Sequence, residues 1–240
     1  MILRFMYEIE STVRYSDCDE SGKLSLTGIV NRFQDCCIAH AESLDIGVKC
    51  SFETGGAWLL NNWNIEIIRR PAMDERVVIG TVPYKFTGFF GYRSLVLKTA
   101  SGEMLAVSDS RWFYYNFLTR SPQRPPEKQW KTYTIEEKVP LSVQKHSRIK
   151  SEDGFAGMPA VTVGQSLIDT NHHMNNSRYV EIASDCLENT DEVKSISVEY
   201  RTAAKRGDVI IPLVRRTEDE TAVLLNSSAG DRYATVIFGK

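Results

Sequence analysis

No stretch of this 240-residue sequence approaches the ~18–20 consecutive apolar residues that a membrane-spanning helix needs. Neither sign of charge dominates. With 29 Lys and Arg against 31 Asp and Glu, the formal net charge is −2, so the basic excess of a general nucleic-acid binder is missing. Cys18, Cys36, Cys37, Cys50 and Cys186 are odd in number and include no C-x-x-C pair. That argues against a disulfide framework and for free thiols in a reducing compartment. Among the four histidines only His172 and His173 are close, and neighbours in sequence rarely share a metal, so no metal is expected. Gly55-Gly56 reads as a flexible loop, because no G-x-G-x-x-G or Walker pattern follows to cradle a phosphate. The start, Met1-Ile2-Leu3-Arg4-Phe5-Met6-Tyr7-Glu8, lacks the apolar core of a secretory signal. The expected location is the cytoplasm.

What is present is an ordinary globular composition, 42% hydrophobic and 25% charged, arranged as one design written twice. From Ser25 to Leu44, apolar residues at Leu26, Ile29, Val30, Phe33, Cys37, Ile38 and Ala41 follow the spacing of an amphipathic helix. Strand-like runs follow at Trp58–Ile67, Glu75–Tyr84, Gly91–Thr99 and Met104–Phe117, separated by turn signals such as Pro71, Thr87-Gly88 and Ser101-Gly102. Four of the eight prolines then fall between Thr119 and Pro140, which predicts an extended connector. Beyond it Val161–Ile168 predicts a strand and Asn175–Leu187 a short helix. Further strands are expected at Val193–Thr202, Val209–Arg216, Ala222–Asn226 and Tyr233–Phe238. The organisation expected is a first repeat over 1–120, a linker over 121–150 and a second repeat over 151–240. Two echoes support duplication. Tyr15-Ser16-Asp17-Cys18-Asp19 aligns with Leu167-Ile168-Asp169-Thr170-Asn171 at an offset of 152, and Asn64-Ile65-Glu66-Ile67 with Ser197-Val198-Glu199-Tyr200 at 133. The first repeat therefore carries about 19 extra residues, including Gly47–Gly56. A helix followed by four antiparallel strands, twice, describes an α+β protein whose helices lie across twisted sheets, with an apolar slot beside each helix.

Chemistry concentrates at Asp169-Thr170-Asn171-His172-His173-Met174-Asn175-Asn176. A carboxylate, imidazoles and carboxamides meet at the entry to a helix, where backbone N–H groups suit a developing oxyanion. An imidazole held by Asp or Asn serves as a general base toward water. Asp and Asn also cap helices in any protein, yet a cap requires fewer groups than this.

The pattern Asp169-x-Asn171-x-His173-x-Asn175-Asn176-x-x-Tyr179 resembles the signature of the acyl-acyl carrier protein thioesterases. The resemblance runs from about Tyr7 to Phe238 and includes the tandem repeat. It implies a double hot-dog fold and hydrolysis of the thioester between a fatty acyl chain and acyl carrier protein (ACP), which ends fatty-acid elongation. It implies catalytic roles for Asp169, Asn171 and His173, with His172 pointing the other way. Backbone N–H groups near Met174 and Asn175, with Asn176 in support, are expected to hold the oxyanion, and no cofactor is expected. The partner implied is the phosphopantetheine-bearing carrier, and the basic pair Lys205-Arg206 is a candidate surface for docking it. Whether two chains pair is open.

One departure stands out. The family's downstream catalytic Glu, in a segment resembling Y-x-x-E, corresponds to Ala203 in Tyr200-Arg201-Thr202-Ala203-Ala204. Glu199 lies ~13 Å away along an extended strand, and replaces that carboxylate only if a bulge intervenes. Two other readings therefore stand beside the first: a thioesterase acting on acyl-coenzyme A, and an acyl-binding module that has lost its chemistry. Cys36-Cys37 beside His40 is a weaker candidate nucleophile. The segment Trp112-Phe113-Tyr114-Tyr115-Asn116-Phe117 reads as strand core in preference to tunnel lining.

Overall fold

The computed structural model describes residues 6–143, 149 and 151–240. Residues 1–5, part of the N-terminal segment discussed above, and residues 144–148 and 150 of the expected linker lie outside that set. Two compact units divide the chain, Met1–Asn61 with Ile68–Leu141, and Asn62–Ile67 with Ser142–Lys240.

In the first unit, β1 (Tyr7–Thr12) precedes a long helix, α1 (Leu26–Ser43). Ser25 starts that helix because its Oγ accepts the Gly28 N–H at 3.0 Å. Leu26, Ile29, Val30, Phe33 and Cys37 form the buried stripe, each large apolar side chain contributing about 1.5–3 kcal/mol relative to exposure. Ile38, one position off that stripe, is exposed instead. A short helix, α2 (Val48–Thr54), lies in the insertion. The strands β2 (Gly56–Ile67), β3 (Arg76–Thr87), β4 (Phe90–Thr99) and β5 (Met104–Asn116) follow. Their order is β1-β3-β4-β5-β2, and every neighbouring pair with an assigned register is antiparallel. Neither β1 nor α2 is visible as an element in the sequence pattern, since both are short.

The proline-rich segment is more than an extended connector. It forms β6 (Ser121–Pro122), which pairs with β5, and one turn of helix, α3 (Lys128–Lys131). It buries Gln129, Tyr133 and Val139 against the first unit. Proline limits regular hydrogen bonding there without preventing side chains from packing.

The second unit contains β7 (Ala156–Gly157), β8 (Val161–Thr162), α4 (Asn176–Ser184), β9 (Ser195–Tyr200), β10 (Val209–Arg216), β11 (Glu220–Ser227) and β12 (Arg232–Gly239). The C-terminal half of β2 belongs here too, with Asn62–Glu66 antiparallel to β9. From there the order runs β9-β12-β11-β10-β7, with β8 also on β10. Helix α4 packs on β12 and β11 through Tyr179, Val180, Ile182 and Ala183, and at nine residues it is half the length of α1. The strand expected over Val161–Ile168 ends at Thr162. Beyond Gly164 the chain winds into a 3-10 turn, Gln165–Leu167, with Ile168 N–H donating to Gln165 O at 3.3 Å. That turn delivers Asp169 to the head of α4.

Candidate active site

Residues 168–175 form a tight loop closed by its own backbone. Asp169 N–H donates to His173 O at 2.8 Å, and His172 N–H to Asp169 O at 3.1 Å. The Asp169 carboxylate turns inward, with Oδ1 accepting the N–H of Asn171 at 2.8 Å and more weakly that of His173 at 3.4 Å. His172 adopts φ 60°, a left-handed conformation that lets the loop reverse, and its ring is exposed. His173 is half-buried and Asn171 exposed. Among the described residues neither the Asn171 carboxamide nor the His173 imidazole has a hydrogen-bond partner, so both are available to a ligand. Asp169 thus meets Asn171 and His173 through their backbone and not through their side chains.

Asn175 caps α4, its Oδ1 accepting from Ser177 N–H and Oγ, both at 3.0 Å. The oxyanion expectation at Met174 and Asn175 needs correction. Met174 N–H donates to Ala204 O at 2.8 Å and Asn175 N–H to Leu167 O at 2.9 Å, so neither is free to receive a substrate oxygen. Asn176 carries a different bond, its carbonyl accepting from Tyr200 Oη at 2.9 Å.

Tyr179, the last residue of the motif, reveals a function that spacing alone does not. Its hydroxyl accepts the Ala204 N–H at 2.8 Å, and its ring meets Tyr200 edge-on at 5.6 Å. Burial pushes its hydroxyl up to about 12. Together Tyr179 and Met174 hold both backbone groups of Ala204, so Ala203 borders the His173–Met174 turn. Ala203 is itself exposed. The strand is interrupted here, since Arg201 and Thr202 both donate to Tyr233 O, at 2.9 and 3.4 Å. Glu199 remains on β9 opposite Asn62 and Thr235 and pairs with Arg201 at 3.5 Å. It makes no bond to the 169–173 loop.

Lys205 and Arg206 follow directly, exposed on a turn fixed by Lys205 N–H to Asp208 Oδ2 at 2.8 Å and by Gly207 at φ 88°. Among the described residues neither cation pairs with a carboxylate. The Cys36-Cys37 alternative fails on electrostatics. Burial pushes both thiols up, with Cys37 adding to the effect at Cys36, so neither forms a thiolate readily. No group of three or more metal-ligating side chains occurs among the described residues.

The first unit contains the same loop without the same side chains. Asp19 N–H donates to Lys23 O at 2.9 Å, Gly22 N–H to Asp19 O at 3.0 Å, Ser25 N–H to Asp17 O at 2.9 Å and Leu24 N–H to Pro71 O at 2.8 Å. Asp19 Oδ1 accepts Ser21 N–H at 3.0 Å. These bonds pair Asp19 with Asp169 and Gly22 with His172, an offset of 150. The alignment of Asp17 with Asp169 at 152 is therefore displaced by two residues, and the insertion measures 17. Asp17 instead binds Arg32 at 2.8 Å.

The sequence matches two domain models of one family, the acyl-ACP thioesterase N-terminal domain over residues 5–133 and the acyl-ACP thioesterase C-terminal domain over residues 156–237. No curated protein matches it in sequence. Three solved structures cover 98% of this chain. An acyl-ACP thioesterase from Bacteroides thetaiotaomicron aligns with a TM-score of 0.87 at 21% identity over 97% of its own length. A putative oleoyl thioesterase from Lactobacillus plantarum gives 0.86 at 21% over 95%. The 12:0-ACP thioesterase from Umbellularia californica gives 0.83 at 17% over 96%. At these identities the likeness shows the shared fold.

Proposed function

The chain belongs to the acyl-ACP thioesterase family and has its tandem hot-dog fold; from that premise we propose that the 169–173 loop hydrolyses fatty acyl-ACP with His173 as the general base. The observation that carries this reading is the loop itself, which presents an unengaged, half-buried imidazole and an unengaged carboxamide two residues apart. Water attacks the thioester carbonyl and gives a proton to His173. The Asn171 amide donates to the oxyanion, and the His173 N–H, with only its 3.4 Å contact to Asp169, is weakly engaged and stands beside the imidazole as a second donor. The protonated imidazole then passes its proton to the departing phosphopantetheine thiol, leaving a free fatty acid and the carrier. Asp169 acts by fixing the backbone that carries both groups. Ala203 supplies no carboxylate, so the imidazole works with what the loop offers.

Release of the acid ends elongation, which makes this a termination step in fatty-acid synthesis. The carrier is acidic in the reading we favour, and Lys205 and Arg206 dock it beside the site. Five free cysteines are consistent with a reducing cytoplasm, and no helix of the described residues is long and apolar enough to cross a membrane. The test is incubation with acyl-ACP of several chain lengths and with the matched coenzyme A thioesters, followed by identification of the acids released. Faster release from the carrier series supports the proposal. Preference for coenzyme A reassigns the leaving group, and no release from either leaves an acyl-binding module.

A further inference from the structure

Each of the two related loops hangs on a supporting segment through one carbonyl. Met174 N–H donates to Ala204 O and Leu24 N–H to Pro71 O, both at 2.8 Å. The segments themselves are bonded alike. Arg201 and Thr202 N–H both donate to Tyr233 O, as Ile68 and Arg69 N–H both donate to Leu105 O. Downstream, Lys205 N–H meets the Asp208 carboxylate at 2.8 Å, as Ala72 N–H meets the Glu75 carboxylate at 3.0 Å. Gly207 N–H donates to Val163 O at 2.9 Å, as Asp74 N–H donates to Val13 O at 2.8 Å. One position breaks the correspondence. Pro71 has no N–H to satisfy, and its ring fixes φ at that point. Ala204 has an N–H, is fully buried, and must find an acceptor for it. That acceptor is the Tyr179 hydroxyl, at 2.8 Å.

Tyr179 stands four residues after the N-cap Asn175, where Ile29 stands after the N-cap Ser25. Both side chains are buried, but Ile29 has no polar side-chain atom and Pro71 asks for none. The pair Tyr179–Ala204 therefore replaces the pair Ile29–Pro71, in the unit whose loop displays Asn171 and His173. The phenol is held in place. Its ring meets Tyr200 edge-on at 5.6 Å, and Tyr200 Oη donates to Asn176 O at 2.9 Å in the first turn of α4. From this fixed point a continuous path runs to the imidazole. Tyr179 Oη takes the Ala204 N–H, Ala204 O takes the Met174 N–H, and the preceding residue is His173, whose carbonyl accepts the Asp169 N–H at 2.8 Å.

We propose that Tyr179 is a positioning residue for the hydrolysis: by holding the Ala204 N–H it fixes the carbonyl from which the His173–Met174 turn hangs, and so sets where the His173 imidazole stands. Its effect on rate rests on the thioesterase reading above, whereas the tether and its hold on His173 do not.

Tyr179→Phe removes the hydroxyl and keeps the ring. It is expected to lower kcat on an acyl-ACP about tenfold with KM within about twofold, the mark of a displaced group and not of a lost substrate contact. Amide hydrogen exchange at Ala204 and Met174 should quicken at least about tenfold. The NMR signals of the His173 imidazole, assigned by their loss in His173→Ala, should shift. The first unit supplies the rescue. Its backbone accepts proline at the equivalent point, so Ala204→Pro added to Tyr179→Phe removes the orphaned donor. This double variant is expected to recover most of kcat and the wild-type His173 signals. Wild-type kcat with unshifted His173 signals in Tyr179→Phe overturns the proposal, as does a loss confined to KM or one that persists in a folded double variant. If Tyr179→Phe alone fails to fold, the double variant decides. Near-wild-type kcat and His173 signals there support the tether, and a rate as low as that of His173→Ala overturns it. If wild type releases no acid from carrier or coenzyme A thioesters, the thioesterase reading falls. The His173 signals of Tyr179→Phe, shifted or unshifted, then decide the tether alone.

Discussion

The turns Asp19–Ser25 and Asp169–Asn175 share their backbone bonds and differ in what those bonds display. In the first unit the N–H of Leu24 takes the carbonyl of Pro71, so the residue before it, Arg70, stands where Ala203 stands in the second. Arg70 reaches across and closes on the Asp19 carboxylate, which also accepts Ser21 Oγ–H at 2.7 Å. In the second unit Ala203 stops short, and Asp169 keeps only backbone donors. Ser21, Gly22 and Lys23 are replaced by Asn171, His172 and His173. One loop geometry therefore serves as an ion-paired staple in one unit and leaves the Asn171 and His173 side chains unengaged in the other. The contrast is made by the loop residues themselves and by the side chain, Arg70 or Ala203, on the segment that supports the loop.

The largest effect expected from breaking this contrast is at its reactive end. His173→Ala should cost about a hundred- to ten-thousand-fold in kcat, the usual range for a lost general base, while the equivalent Lys23→Ala leaves kcat unchanged. Steady-state hydrolysis of one acyl-ACP by both variants checks this, and equal rates would remove His173 from the chemistry. Arg70→Ala should come next, destabilising the fold by about 3 kcal/mol because it leaves Asp19 without its buried partner. The sign with pH follows from Asp19. Its burial raises the carboxyl pKa, but bonds to Arg70 and Ser21 outweigh that and hold it below 3.8. The stabilisation is complete above about pH 3.8 and is lost as the pH falls through the lower folded value. Denaturant titrations of wild type and Arg70→Ala should therefore converge in acid.

Grafting the staple onto the site sharpens the comparison further. Ala203→Arg should close on Asp169 as Arg70 closes on Asp19, crowd Asn171 and His173, and lower kcat/KM by about tenfold or more. Ala203→Glu places a carboxylate beside the His173–Met174 turn and should raise the rate if that carboxylate helps the imidazole. A fall instead would show that it repels Asp169. Charge reversal at Lys205 and Arg206 is expected to raise KM for carrier-linked substrate a few-fold and to flatten its salt dependence, with kcat unchanged. The smallest effect concerns the left-handed residue of each turn. Gly22→Ala should cost about 1 kcal/mol, since a side chain there has room but an unfavourable φ of 73°. His172→Gly should gain no more than that, measured by thermal melting.

Much of this was readable from residue order. The stripe Leu26, Ile29, Val30, Phe33 and Cys37 predicts α1 to within a residue of its ends, because helical periodicity is a local property. The D-x-N-x-H spacing singles out the loop that the fold builds. The displaced alignment of Asp17 with Asp169 shows the limit. Tyr15-Ser16-Asp17 looks like the entrance to the motif, but the equivalence of the loops is defined by hydrogen bonds, which place Asp19 against Asp169. The oxyanion expectation failed similarly, because a helix start offers unpaired N–H groups in principle. Here distant segments at Leu167 and Ala204 have already taken those of Asn175 and Met174.

The sequence by itself determined the repetition, the long first helix, most of the strands and the cluster of chemistry at residues 169–176. All of these are encoded by side-chain periods or by groups close together along the chain. Tertiary structure decided which of those groups are free to act. Arg70 neutralises Asp19 across 51 positions of sequence, Tyr179 takes the N–H of Ala204 across 25, and Arg93 meets His40 across 53. A hydrogen bond satisfies a donor only once, and folding alone brings the competing acceptors within reach, so the availability of a catalytic or binding group is a property of the packed chain.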